Sequence, residues 1–212
     1  MSDEDSFEAV QYIPVLKTDF IMKSTLSKEL CDALIKLSEK KIETGIVDHL
    51  EGVLRTGWNL QKDSDVAPYL QMVTAKVEHC ISTRLNYPHF HKNRPSSMKR
   101  NGMQFVIAMY NAWVGFYKGN SFVHPHCHEE PPNFYSIAAY LSTGGSDTSL
   151  SFMTDESPSH GVNRPKVICK QGDLIIFPSS LYHYTNDTSD VRIVLSVNYY
   201  AGYMPQISIG EG

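Results

Sequence analysis

Residues 172–200 read GDLIIFPSSLYHYTNDTSDVRIVLSVNYY. A turn at Gly172-Asp173 feeds an apolar strand that ends at Pro178, and a second apolar strand, VRIVLSVN, follows a polar connection. Two residues interrupt this texture. His183 stands just past the first strand, and Arg192 sits inside the second, an interval of nine (183 to 192). A charge within such a strand is costly to bury unpaired, so Arg192 is expected to face an anion, either an internal carboxylate or a ligand.

The same texture extends toward the N-terminus. Segments 104–110, 112–117, 122–128, 133–142, 150–153 and 166–170 join 174–177 and 191–200 as short, β-branched or aromatic strands, separated by turn signals such as KGN, TGGSD and QGD. Two helices precede them. Leu30, Leu34 and Leu37 recur at helical spacing over 27–41, and Val66, Leu70, Val73, Val77 and Ile81 do so over 66–85. Helices followed by a run of strands predict an α+β, mainly β domain whose strands form a sandwich or barrel, with the helices packed outside one sheet. Residues 1–20 read as a polar tail and an extended segment, in which Pro14 disfavours helix at Ile13. Residues 27–85 supply the buttressing helices and 103–200 the β core. A chain of 212 residues, 42% hydrophobic, is expected to close one core as a single domain spanning 1–212.

A formal charge of −4 leaves no basic excess for nucleic acid. Lys92, Arg94, Lys99 and Arg100 form one short basic cluster, expected as a solvated loop rim. No apolar run approaches the roughly 18 residues that span a bilayer, and MSDEDSFEAV is acidic where a signal peptide is basic and then apolar. The expectation is a cytoplasmic protein, in the host cytoplasm if viral, without a membrane partner. Cys31, Cys80, Cys127 and Cys169 show no CxxC spacing and are expected to be free thiols. Cys127 should point away from its histidine neighbours and be buried.

Those neighbours lie in FVHPHCHEE, residues 122–130. Strand alternation puts His124, His126 and His128 on one face, with neighbours about 6.5–7 Å apart at the backbone, a spacing across which two imidazoles converge on one ion. Three histidines on a wet face would show the same alternation.

Taken in order, these motifs resemble the 2-oxoglutarate/Fe(II)-dependent oxygenase superfamily, in particular its prolyl-4-hydroxylase-like branch and the related oxygenases of bacteria and tailed phages. PHCH stands where prolyl hydroxylases have PHxD, and YSIAAYLS (135–142) resembles their tyrosine-leucine strand. GDLIIFP…H…R is similar to their GxxxxF…H…R segment. AWVGFYKGNSFVHPHCH (112–128) is similar to the phage-type pattern of a Trp, a Gly-containing turn and HxH. The resemblance spans residues 113–200. It implies a double-stranded β-helix (jelly roll, cupin-like), a hydroxylase activity, and a metal site of His126, His128 and His183, with no catalytic residue beyond it. It also implies that Arg192, Tyr140 and Tyr117 bind the co-substrate. The cofactors implied are Fe(II), 2-oxoglutarate and dioxygen, with ascorbate as an optional accessory. The substrate implied is a peptidyl, prolyl-like residue or an amino-acid C–H, presented by a peptide or small-molecule partner.

His128 departs from the family pattern, since a third imidazole replaces the usual Asp. Two other registers remain open, His124 with His126 and His128 with Glu130. Two other functions also remain open. One is a three-histidine cupin dioxygenase that works without 2-oxoglutarate, and the other is a non-catalytic jelly-roll binding or structural module.

Overall fold

The computed structural model describes residues 11–14, 20–44, 47–50, 53–85, 99–100, 103–118, 121–128, 133–144, 148–153, 165–185 and 191–205. Strands β1 (Gln11–Pro14) and β2 (Phe20–Thr25) precede helix α1 (Lys28–Glu43), the hairpin β3 (Val47–Leu50) and β4 (Val53–Thr56), helix α2 (Ala67–Leu85) and the short β5 (Lys99–Arg100). The core strands follow as β6 (Met103–Tyr117), β7 (Val123–His126), β8 (Asn133–Ser142) and β9 (Thr148–Met153), then β10 (Lys166–Cys169), β11 (Asp173–Pro178), β12 (Tyr182–Thr185) and β13 (Arg192–Pro205).

The order β11-β8-β13-β6 forms the centre of a large antiparallel sheet, extended by β2 and β1 at one edge and by β4 and β3 at the other. The order β10-β9-β12-β7 forms a smaller one. From β6 to β13 the chain passes back and forth between the two sheets, which is the expected jelly roll.

Alternation along the strands divides the core into two layers. Ile137, Ala139 and Leu141 of β8, with Ile193, Leu195 and Val197 of β13, pack toward the helices. Ala138, Tyr140 and Val194 point the other way, between the sheets. The α2 stripe meets the helical layer as anticipated: Val66, Leu70, Val73, Val77 and Ile81 are all 1% exposed or less. Truncating one such side chain, as in Leu70→Ala, costs about 2–5 kcal/mol. Helix α1 starts where Ser27 caps it, its hydroxyl accepting from the Leu30 N–H at 3.3 Å, and ends on Lys40 and Lys41 beside the negative end of the helix dipole.

Some elements differ from expectation. The two strands foreseen at 104–110 and 112–117 are one strand, β6, whose pairing with β13 slips between Asn111 and Met109, so Tyr110 is the extra residue. The strand foreseen at 122–128 ends at His126, so alternation no longer governs Cys127, which is half-buried instead of buried. Strands β2, β3, β4, β5 and β12 were not anticipated. The four cysteines are free thiols. Lys92 and Arg94 lie outside the described residues. Among the described residues, no helix is long and apolar enough to cross a membrane.

Candidate metal centre

β7 and β12 pair antiparallel with His126 directly opposite His183, and their ring centroids are 4.3 Å apart. His128 lies two residues beyond the end of β7, where its backbone N–H donates to the Ser179 carbonyl at 2.8 Å. The Ser179 N–H in turn donates to the Phe134 carbonyl at 3.0 Å. This tether from the end of β11 holds His128 near the pair, 5.0 Å from His126 and 5.3 Å from His183 between ring centroids. One ring nitrogen from each histidine lies within 4.8 Å of the others, so the three could hold a metal ion.

The tautomers favour this. Nδ1 of His126 is 2.8 Å from the His124 carbonyl, and Nδ1 of His183 is 3.0 Å from the Leu181 carbonyl. A carbonyl can only accept, so each Nδ1 carries the proton and each Nε2 keeps its lone pair for an ion. Burial, and then the neighbouring His126, push His128 down to about 4 and His183 well below the usual histidine range. Both are therefore neutral near pH 7, the state that ligates metal. His124 takes no part in the triad; it is exposed, with its ring against Phe122 at 4.6 Å. Glu130 lies outside the described residues.

The triad opens into a cavity of about 300 Å³ between the sheets. Phe177, Leu150 and Val194 give it apolar walls, and the Phe177 ring lies 4.6 Å from His183. Tyr140 also lines it and is 1% exposed. The Tyr140 hydroxyl lies beside the Cys169 thiol, yet no partner meets it at hydrogen-bonding geometry. Burial raises its pKa well above the phenol range, so it remains a proton donor.

Arg192 is fully buried. It donates to Thr185 Oγ1 at 2.7 Å, to the Ser121 carbonyl at 3.2 Å and, more weakly, to Thr148 Oγ1 at 3.4 Å. Its guanidinium lies over the Tyr117 ring, 4.4 Å from the centroid. Tyr117 and Thr185 line the cavity, which puts Arg192 one layer behind the wall. Gly115 makes the stacked position of Tyr117 possible, because a Cβ there would sit 2.9 Å from the tyrosine ring.

The structure adds residues that the sequence did not single out. Arg55 of β4 is 6% exposed, lines the cavity, and stacks over Trp58 at 4.4 Å. Its signal in the sequence was Gly52, a turn-prone residue between VDHL and VLRT. Ser136 hydrogen-bonds Asn198 at 2.7 Å and Ser179 at 2.9 Å, a polar network that braces the segment tethering His128.

No family model and no curated protein matches the sequence. Solved structures do match. A prolyl-4-hydroxylase from Pseudomonas putida aligns at 16% identity with a TM-score of 0.59, over 85% of this chain and 91% of that one. The viral collagen prolyl hydroxylase of Paramecium Bursaria Chlorella virus-1 aligns at 17% identity with a TM-score of 0.52, over 84% and 94%. The α-ketoglutarate-dependent epimerase SnoN from nogalamycin biosynthesis aligns at 12% identity with a TM-score of 0.62, over 92% and 87%. The chain therefore has the double-stranded β-helix fold of the prolyl-4-hydroxylases and related 2-oxoglutarate/Fe(II) oxygenases.

Proposed function

We propose that this protein is a 2-oxoglutarate- and Fe(II)-dependent oxygenase. His126, His128 and His183 hold the metal, while Arg192, Tyr140 and Tyr117 receive the far carboxylate of the co-substrate. One observation carries this reading: three histidines, two of them kept neutral by burial, converge at a cavity whose wall holds a buried phenol without a hydrogen-bond partner, with a buried guanidinium one layer behind it. A buried donor lacking an acceptor is costly, and a carboxylate would satisfy it. Arg192 contributes charge across the Tyr117 ring, while the Tyr140 and Thr185 hydroxyls supply directed contacts.

Imidazole donors suit iron, zinc, copper and nickel alike, so the preference for iron rests on the fold. Bound together, Fe(II), 2-oxoglutarate and dioxygen supply an oxidant that hydroxylates a C–H bond, with succinate and carbon dioxide as co-products. The protein's own part is to keep His128 and His183 neutral by burial, orient the diacid and exclude water with Phe177, Leu150 and Val194. Proteins of this fold include a prolyl hydroxylase in complex with a peptide fragment and SnoN in complex with α-ketoglutarate and nogalamycin RO, which supports a peptide or small-molecule substrate here. Four free cysteines suit the reducing cytoplasm to which we assign the protein.

Participation of His128 favours a second reading, a three-histidine dioxygenase that works without 2-oxoglutarate. Succinate formation from 2-oxoglutarate by the Fe(II)-loaded protein, assayed across a peptide panel, separates the two. Succinate production is expected. Iron-dependent oxygen uptake without succinate would support the second reading.

A further inference from the structure

A second cation borders the cavity on a different strand. Arg55 pairs in register with Gly115 of β6, and Gly115 pairs with Val194 of β13, whereas Arg192 pairs with Tyr117. Strand β6 thus separates the two arginines, and adjacent strands lie about 4.8 Å apart. Gly115 carries no side chain, and the Tyr117 ring lies over it, on the sheet face between Val194 and Arg55. Arg55 also stands at the end of an aromatic path. Trp113 is 6.1 Å from His128, Trp58 is 4.4 Å from Trp113, and Arg55 is 4.4 Å from Trp58.

The charge balance of the cavity points the same way. Among the described residues lining it, none is acidic. A divalent ion held by neutral imidazoles, together with Arg192 and Arg55, exceeds the charge of one dicarboxylate, so the loaded cavity stays positive and attracts a further anion. Asp48 stands opposite Arg55 in the β3–β4 register. A guanidinium has five N–H donors in a planar fork, enough to serve more than one acceptor.

We propose that Arg55, Trp58 and Trp113 form a substrate subsite for a carboxylate group, separate from the co-substrate position beside Arg192. The carboxylate binds the guanidinium, and the carbon chain attached to it lies along the two indoles toward the histidines. The carboxylate belongs either to an acidic residue of a peptide or to a free amino acid. The ligand beside Arg192 and the charge balance of the loaded cavity rest on the oxygenase reading, whereas the strand register and the aromatic path do not.

Trp58 and Trp113 are the two tryptophans of the chain, so intrinsic fluorescence reports on this subsite. The test titrates anaerobic protein saturated with Fe(II) and 2-oxoglutarate, and in parallel the metal-free protein, with three probes. They are acetyl-Gly-Glu-Gly-amide, its glutamine counterpart and free glutamate. At least one acidic probe should bind tenfold or more tightly than the glutamine peptide, and which one does so identifies the source of the carboxylate. Arg55→Gln should abolish this preference while leaving 2-oxoglutarate affinity within threefold of wild type. No preference in the wild type, or a preference surviving in Arg55→Gln, overturns the proposal. A tenfold loss of 2-oxoglutarate affinity in that variant overturns it too, because Arg55 would then belong to the co-substrate position. If Arg55→Gln does not fold, Arg55→Lys keeps the charge without the planar fork; a threefold or greater loss of preference is expected, and none overturns the proposal. If 2-oxoglutarate fails to bind wild type but the acidic preference and its loss in Arg55→Gln persist in metal-free protein, the oxygenase reading fails and the subsite stands.

Discussion

His128 is where this site departs from the PHxD pattern, and its backbone hydrogen bond to Ser179 keeps it in the triad although β7 has already ended. His128→Ala should weaken Fe(II) binding at least tenfold in an anaerobic titration, while His128→Asp should retain the metal. Unchanged affinity in His128→Ala would remove His128 from the ligand set. The same residue sets a pH dependence in the metal-free protein. Its pKa is about 4 when folded, against about 6.5 in the unfolded chain, so between these values the unfolded chain takes up the proton first. Stability is therefore fully present above about pH 6.5 and falls as the pH drops toward 4. At about 1.4 kcal/mol per unit, His128 accounts for at most about 3.5 kcal/mol, and His183 acts in the same direction. Urea midpoints measured between about pH 7 and 4.5 should fall less steeply in His128→Gln than in the wild type, and equal slopes would contradict the assignment.

At the scale of elements, pairing does what spacing alone could not. Strand β12 is only YHYT, with Tyr182 47% exposed, too short and too polar to read as a strand, yet it sets His183 opposite His126. The long apolar strands β8, β11 and β13 were legible because alternation and turn signals agree along them. The β3–β4 pair was not, although the sequence between its arms holds the turn-prone Gly52, because each arm has four residues and little apolar pattern. Arg55 was lost with it. The turn before β11 was read correctly and has a specific requirement. Gly172 has φ +88, accepts from the Leu26 N–H at 2.7 Å and donates to the Tyr140 carbonyl at 2.8 Å, and a Cβ there would meet the Leu26 carbonyl oxygen at 3.0 Å. Gly172→Ala should cost about 2 kcal/mol, lowering Tm by roughly 4–8 °C in a chain of this size. A Tm change under 1 °C by calorimetry would show that the turn relaxes without strain.

At the scale of the whole molecule, the site belongs to the space between two sheets. The smaller sheet brings His126 and His183 on β7 and β12, and the larger brings Tyr117, Tyr140 and Arg192 on β6, β8 and β13. The order of these residues along the chain made their meeting legible, because the jelly roll turns these strands of both sheets toward the same space between them. What lines the cavity between them was not legible, since no local pattern records that Arg192 lies behind Tyr117 or that Arg55 and the two tryptophans extend the same wall. If these contacts make one co-substrate site, a keto acid should chelate the metal only when the triad is intact, and tightly only when Arg192 is intact as well. Anaerobic addition of 2-oxoglutarate to the Fe(II)-loaded protein, followed by visible charge-transfer absorption, measures that directly. A saturable band is expected in the wild type, absent in His183→Ala because the metal is lost. In Arg192→Gln it should need at least 30-fold more 2-oxoglutarate while Fe(II) affinity holds, since losing a buried charged contact costs about 2–5 kcal/mol. No band in a wild-type protein that binds Fe(II), or an unchanged midpoint in Arg192→Gln, would contradict the assignment of this cavity to 2-oxoglutarate.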